Sequence, residues 1–234
     1  MAFPRIGLIA TLIVLLACTM GYSQTVDAVA HIQLTHADKQ TAAHAQSSGA
    51  VIWLTPISGT PADAKPGHFR LVQKDKSFHP HLLVVPLGSS VDFPNLDPFF
   101  HNVFSQFNGK RFDLGLYEEG SNKTVRFDHE GVSYIFCNIH PEMSAVVIAL
   151  ATPYVGVSSQ AGDIELHDVP PGTYEMRVWA EGVDSKQLNA LTHSVHIGSS
   201  QNDLGTIQLV ESGANSAHKN KYGEDYFPDR KSTY

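Results

Sequence analysis

The sequence predicts an all-β protein made of two β-sandwiches, and three observations lead there. Short runs rich in Val, Ile, Phe and Tyr recur along most of the chain, separated by Gly, Pro, Asn and Asp clusters. No segment sustains a convincing long helical period. After Pro153 the character changes, with residues 163–167 alternating apolar and polar at period 2, which marks a second block of strands.

The first 23 residues read as a secretory signal: Arg5, an apolar run over 6–17, then small residues, with Gly21 at the −3 position for cleavage after Ser23. The run is too short to span a bilayer, which takes roughly 20 residues. The rival is Leu15-Leu16-Ala17-Cys18, which resembles a bacterial lipoprotein box and would anchor the chain by a lipid on Cys18. Either reading places the protein outside the cytoplasm, periplasmic or secreted. Residues 24–48 are rich in Ala, Gln, His and Thr and are expected to be a flexible arm or one loose helix. The irregular spacing of His31, His36 and His44 there favours solvated side chains over a metal-collecting role.

Residues 50–54 form a short strand, and a Pro/Gly/Ala loop follows to 67. A second block of strands starts at 69–72. Pro80 within His79-Pro80-His81 favours the start of the strand 82–86 over a pair of metal ligands. Residues 91–93 follow the Gly88-Ser89 turn, then a Pro/Asn/Asp loop over 94–98 and a strand from His101. Strands over 124–127 and 132–136 flank a turn at 128–131, and 145–150 closes the block. Beyond it, 163–167, 175–179, 194–197 and 205–210 are strands, interrupted by Asp168-Val169-Pro170-Pro171-Gly172-Thr173-Tyr174. The polar stretch 211–234 is expected to be a disordered tail.

The formal net charge is −7 with acidic residues spread along the chain, and no basic patch with interleaved aromatics offers itself to nucleic acid. Of the two cysteines only Cys137 lies in the strand-forming region. In an oxidising compartment a single thiol stays reactive unless something occupies it, and a metal would. Cys137 ends the run 132–136 and begins Cys137-Asn138-Ile139-His140-Pro141-Glu142-Met143. Thiolate, imidazole and thioether thus leave one strand end within seven residues. Soft sulfur plus imidazole suits copper, and a His₂Cys set with a weak axial Met is the blue-copper arrangement. His101, in Phe99-Phe100-His101-Asn102-Val103, supplies the second imidazole.

With these two blocks in this order, residues 69–152 resemble the cupredoxin family, a Greek-key β-sandwich. The two-residue spacing on both sides of His140, and Pro141 after it, look most like amicyanin. The resemblance implies one type 1 copper on His101, Cys137, His140 and axial Met143, with Asn102 bracing the ligand loop through its side chain. Ile139 departs from the amicyanin pattern, which has Pro there, and frees an N–H to donate to the Cys137 sulfur. The implied role is one-electron transfer, with a quinoprotein dehydrogenase and a c-type cytochrome as partners. No His flanks Cys137 to wire it to a second copper, and no second cysteine is available for a binuclear centre, so an enzyme is not expected. Copper delivery, or a structural module with an empty site, are the alternatives. The His140 edge is expected at the surface, ringed by Phe99 and Pro141, with Phe100 in the core.

Residues 162–178, with the Pro-Pro-Gly-x-Tyr turn, resemble a carboxypeptidase regulatory-like, immunoglobulin-type module. Such a module starts with an earlier strand of the type at 49–54. It would then comprise 49–60 and 153–210, interrupted by the cupredoxin-like block, unless the 50–54 strand belongs to that block instead.

Overall fold

The computed structural model of the protein describes residues 24–36, 49–58, 64–106, 109–200, 202–212 and 219–226. The expected signal at 1–23, Cys18, His44 and the rest of the expected arm and tail lie outside the described residues.

The chain begins in one sandwich, builds the other, and returns. β1 (Val26–His36) and β2 (Val51–Pro56) come first. Then follow β3 (His68–Arg70), β4 (Val72–Lys74), β5 (Ser77–His79), β6 (Leu82–Pro86), β7 (Ser90–Pro94) and β8 (His101–Ser105). β9 (Phe112–Tyr117), β10 (Asn122–Arg126), β11 (Gly131–Cys137) and β12 (Ser144–Leu150) complete this block. It forms a five-stranded sheet ordered β6-β12-β11-β8-β9, a three-stranded sheet ordered β10-β7-β3, and a β4–β5 hairpin. Phe93, Val103, Phe127, Ile135, Cys137, Met143 and Val147 lie in the apolar core of this first sandwich.

β13 (Val155–Val157), β14 (Asp163–Val169), β15 (Gly172–Trp179), β16 (His193–Ile197) and β17 (Asn202–Glu211) rejoin the opening strands in sheets ordered β13-β2-β15-β16 and β14-β1-β17. β2 pairs with β13 and β15, whereas β6 pairs with β12. Tyr174 closes the Pro-Pro-Gly turn by donating its hydroxyl to the Pro170 carbonyl at 2.7 Å. A short helix, α1 (Ser185–Ala190), is capped by Asp184, whose carboxylate accepts from the Lys186 N–H at 2.7 Å.

Two expectations are corrected. Residues 26–36 are not an arm but a central strand, antiparallel to β14 and parallel to β17. Val26, Ala28, Ala30, Ile32 and Leu34 alternate, and Ala28, Ala30 and Ile32 are fully buried. Alanine at two inward positions gives a faint hydrophobic signal, but pairing with β14 over 26–31 and with β17 over 28–36 holds the strand in place. The tail is corrected as well. Glu211 ends β17, and residues 219–226 pack against the loop after β11, where the Tyr226 hydroxyl donates to the Cys137 carbonyl at 2.7 Å.

β12 ties the two sandwiches together. Its sequence SAVVIAL lacks a polar face because both faces are covered. Ala145, Val147 and Ala149 point into the first core, while Val146, Ile148 and Leu150 meet Val51, Trp53 and Trp179 of the second sandwich.

Candidate metal centre

His101 opens β8 and Cys137 ends β11, and these antiparallel neighbours place Cys137 opposite Val103. His101 and Val103 are two apart, so both face the same side as Cys137, and all three are fully buried. Cys137 then starts a loop that folds back on itself. The Cys137 N–H donates to the Met143 carbonyl (3.2 Å), the Met143 N–H to the His140 carbonyl (3.1 Å), and the Asn138 N–H to the Asn102 carbonyl (3.0 Å). This closure turns His140 back toward His101.

Three donor atoms converge as a result. The Cys137 sulfur lies 3.6 Å from His101 Nδ1 and 3.5 Å from His140 Nδ1, and the two Nδ1 atoms are 3.2 Å apart. Among the described residues, His101, Cys137 and His140 are the group of His, Cys and carboxylate side chains able to hold a metal ion. Met143 is buried in the same core at the end of the loop.

The second nitrogen of His101 decides its tautomer. Nε2 donates to Asp97 Oδ2 at 2.9 Å, with both side chains buried, and this leaves Nδ1 as a lone pair aimed at the sulfur. Asp97 is itself held by the β4–β5 turn. Asp75 and Lys76 adopt positive φ (54° and 53°) and donate their N–H groups to Asp97 at 2.6 and 3.0 Å. Asn95 completes the frame, accepting from the Asp97 N–H at 2.9 Å and donating to the Phe99 carbonyl at 2.8 Å.

Burial pushes the imidazoles of His101 and His140 below their usual pKa, with Asp97 pulling His101 the other way and His101 lowering His140 further. Both rings are therefore neutral at neutral pH. Burial raises the Cys137 thiol, opposed by N–H groups of Asn102, Ile139 and His140 directed at the sulfur. Ile139, unlike proline, keeps an N–H, and that N–H is among the groups that oppose the rise. Burial raises the Asp97 carboxyl too, but the three donors around it prevail and hold it below the carboxylate range.

Several details differ from the sequence expectation. The Asn102 side chain donates to Asp113 Oδ1 (2.6 Å), and it is the Asn102 backbone carbonyl that braces the ligand loop. Phe100 is 53% exposed rather than in the core. Phe99 is half-buried, edge-on to His101 and His140 with ring centroids 5.3 and 5.5 Å away. His81 takes no part in the site: its ring contacts the Ser144 carbonyl (3.1 Å) and Glu181 (2.6 Å). Sequence reasoning missed Asp97, which lies in a Pro/Asn loop and reads as a turn residue; its four-residue spacing to His101 was the available signal.

In structure the chain is similar to cupredoxins. A purple cupredoxin from Nitrosopumilus maritimus matches with 25% identity and a TM-score of 0.31, over 35% of this chain and 98% of that one. An amicyanin variant matches with 19% identity and a TM-score of 0.34, over 42% of this chain and 98% of that one. A copper-containing nitrite reductase from Thermus scotoductus SA-01 matches with 20% identity and a TM-score of 0.35, over 51% of this chain and 28% of that one. No family model matches the chain, and no curated protein does. Among the described residues no helix is long and apolar enough to cross a membrane.

Proposed function

We propose that the protein is an exported single-electron carrier that holds one type 1 copper on His101, Cys137, His140 and axial Met143. The observation that carries this reading is the buried convergence of one sulfur and two Nδ1 atoms, with Asp97 fixing the His101 tautomer. The donor set fits copper: soft thiolate, two neutral imidazoles, and a thioether at the end of the same loop. Copper held there supplies a one-electron Cu(I)/Cu(II) couple.

The chain's own residues do the rest. His101 and His140 offer lone pairs without first losing a proton. Cys137 keeps its proton until a cation displaces it, since burial disfavours an uncompensated thiolate. Loop closure and the rigid β8–β11 pair hold the donors in place, so little has to move when charge changes. The ligand-bearing loops expose Leu96, Phe100 and Ile139 at 51, 53 and 43%, with Pro141 exposed beside them. Such apolar surface next to His140 suits brief docking of redox proteins. A quinoprotein dehydrogenase and a c-type cytochrome are the partners we propose. We also propose that the copper sandwich interrupts an immunoglobulin-like module whose opening strands are β1 and β2.

The test is copper titration followed by visible absorption. The wild type is expected to bind one copper per chain with an intense thiolate charge-transfer band. Cys137→Ser loses the band, and Met143→Leu keeps it while the reduction potential rises. A wild type that stays colourless under full copper loading would sink the assignment.

A further inference from the structure

The residue after His101 and the residue after Cys137 are both asparagines, and a segment more than eighty positions downstream of Asn138 holds them together. The Lys221 N–H donates to Asn138 Oδ1 at 2.9 Å. The Lys221 ammonium donates to Asp113 Oδ2 at 2.8 Å, and Asp113 Oδ1 accepts from Asn102 Nδ2 at 2.6 Å. The Asn138 N–H returns to the Asn102 carbonyl at 3.0 Å, which closes a ring of four hydrogen bonds. Outside that ring the Tyr226 hydroxyl donates to the carbonyl of Cys137 itself at 2.7 Å. The Lys221 carbonyl accepts from Gln106 Nε2, which ties the segment to the residue after β8.

The segment is shaped to make these contacts. Asn220 is buried, and its Oδ1 accepts from the N–H groups of Tyr222 and Glu224 at 2.9 and 3.0 Å. Its own N–H donates to the Glu224 carbonyl at 2.9 Å. With Gly223 at positive φ (80°), this makes a tight turn that presents Lys221 on one side.

We infer that residues 219–226 are a clamp belonging to the metal centre, in which Lys221 and Tyr226 are positioning residues that lock the His101 and Cys137 strand ends into one arrangement. The inference rests on reading His101, Cys137 and His140 as metal ligands. Both clamp residues reach the ligand strand ends through the Cys137 carbonyl and the Asn138 and Asp113 side chains. Their effect is on how far the ligands can shift when metal enters or changes charge, and on the electron density at the Cys137 peptide.

The experiment compares the full chain with Tyr226→Phe, Lys221→Ala and a chain ending at Ser212. In the metal-free proteins, amide hydrogen exchange over residues 138–143 is expected to rise about three- to tenfold in Tyr226→Phe and more in the shortened chain, the factor that one or two net hydrogen bonds carry. Exchange in β2 and β15 stays as it was. In the copper-loaded proteins the charge-transfer maximum and the reduction potential shift in Tyr226→Phe, a change that a merely structural tail would not produce. If the shortened chain does not fold, the two point variants carry the same comparison. Unchanged loop exchange together with an unchanged spectrum and potential overturns the clamp. A wild type that takes up no copper sinks the copper reading instead, while the exchange comparison on metal-free protein still decides the clamp.

Discussion

At His101 two demands meet: the ring must be neutral to accept a cation, and fixed so that it accepts in one orientation. Burial meets the first and Asp97 the second. Asp97 can sit in the core because three N–H donors, from Asp75, Lys76 and the His101 ring, satisfy its carboxylate. Removing that carboxylate frees the ring to choose the wrong tautomer and leaves the three donors unpaired. Asp97→Ala is therefore expected to weaken copper binding about 10- to 100-fold, read by competition against a chelator of known affinity. Asp97→Asn should fall between, because its amide oxygen can still accept from Nε2 but its NH₂ repels the N–H groups of the β4–β5 turn. Equal affinity in Asp97→Ala and wild type would remove Asp97 from the site.

Among the elements, the join between β12 and the residues after β15 carries a pH-sensitive contact. The His81 ring faces two acceptors, the Ser144 carbonyl at Nδ1 and Glu181 Oε2 at Nε2. Only the doubly protonated ring donates to both, and the hydrogen bond to Glu181 raises the His81 pKa above its ordinary value. The sign follows from linkage. With the folded pKa above the unfolded one, the contribution is fully present below about pH 6.5 and is lost as pH rises through the folded value. Both side chains are about half exposed (52 and 48%), so solvent screening keeps the pair to about 1 kcal/mol or less. His81→Gln should accordingly cost stability at pH 5.5 and little at pH 8.5, measured by urea unfolding at each. The same loss at both pH values would show that packing, not charge, is at work.

Over the whole molecule, β12 is the shared wall. Its inward face helps bury Cys137 and Met143, and its outward face packs on Trp179 and Val51. The Trp179 ring also lies against Tyr134, with centroids 6.5 Å apart, joining β15 to β11, the strand that delivers Cys137. A large buried aromatic lost from such a junction costs about 3–5 kcal/mol. Trp179→Ala is expected to lower the melting temperature and to split a single calorimetric transition into two, as each sandwich loses its neighbour. One unsplit transition of unchanged midpoint would mean that the two cores do not depend on each other.

The sequence by itself singled out His101, Cys137, His140 and Met143, because three of them share one short loop and thiolate, imidazole and thioether have few other reasons to appear together at a strand end. The β-rich runs between turn residues were legible for the same reason: period and turn chemistry are local. Tertiary structure decided what depended on distant partners. β1 looked like a loose arm because its inward residues include two alanines and its partners, β14 and β17, lie more than a hundred residues away. Residues 219–226 looked like a solvated tail because Lys, Asn and Tyr have the same composition whether they meet water or a ligand loop. Asp97 looked like a turn residue until the fold carried the Asp75-Lys76 turn over it. In each case a polar or small side chain takes its meaning from the partner brought to it, and only the folded chain brings that partner.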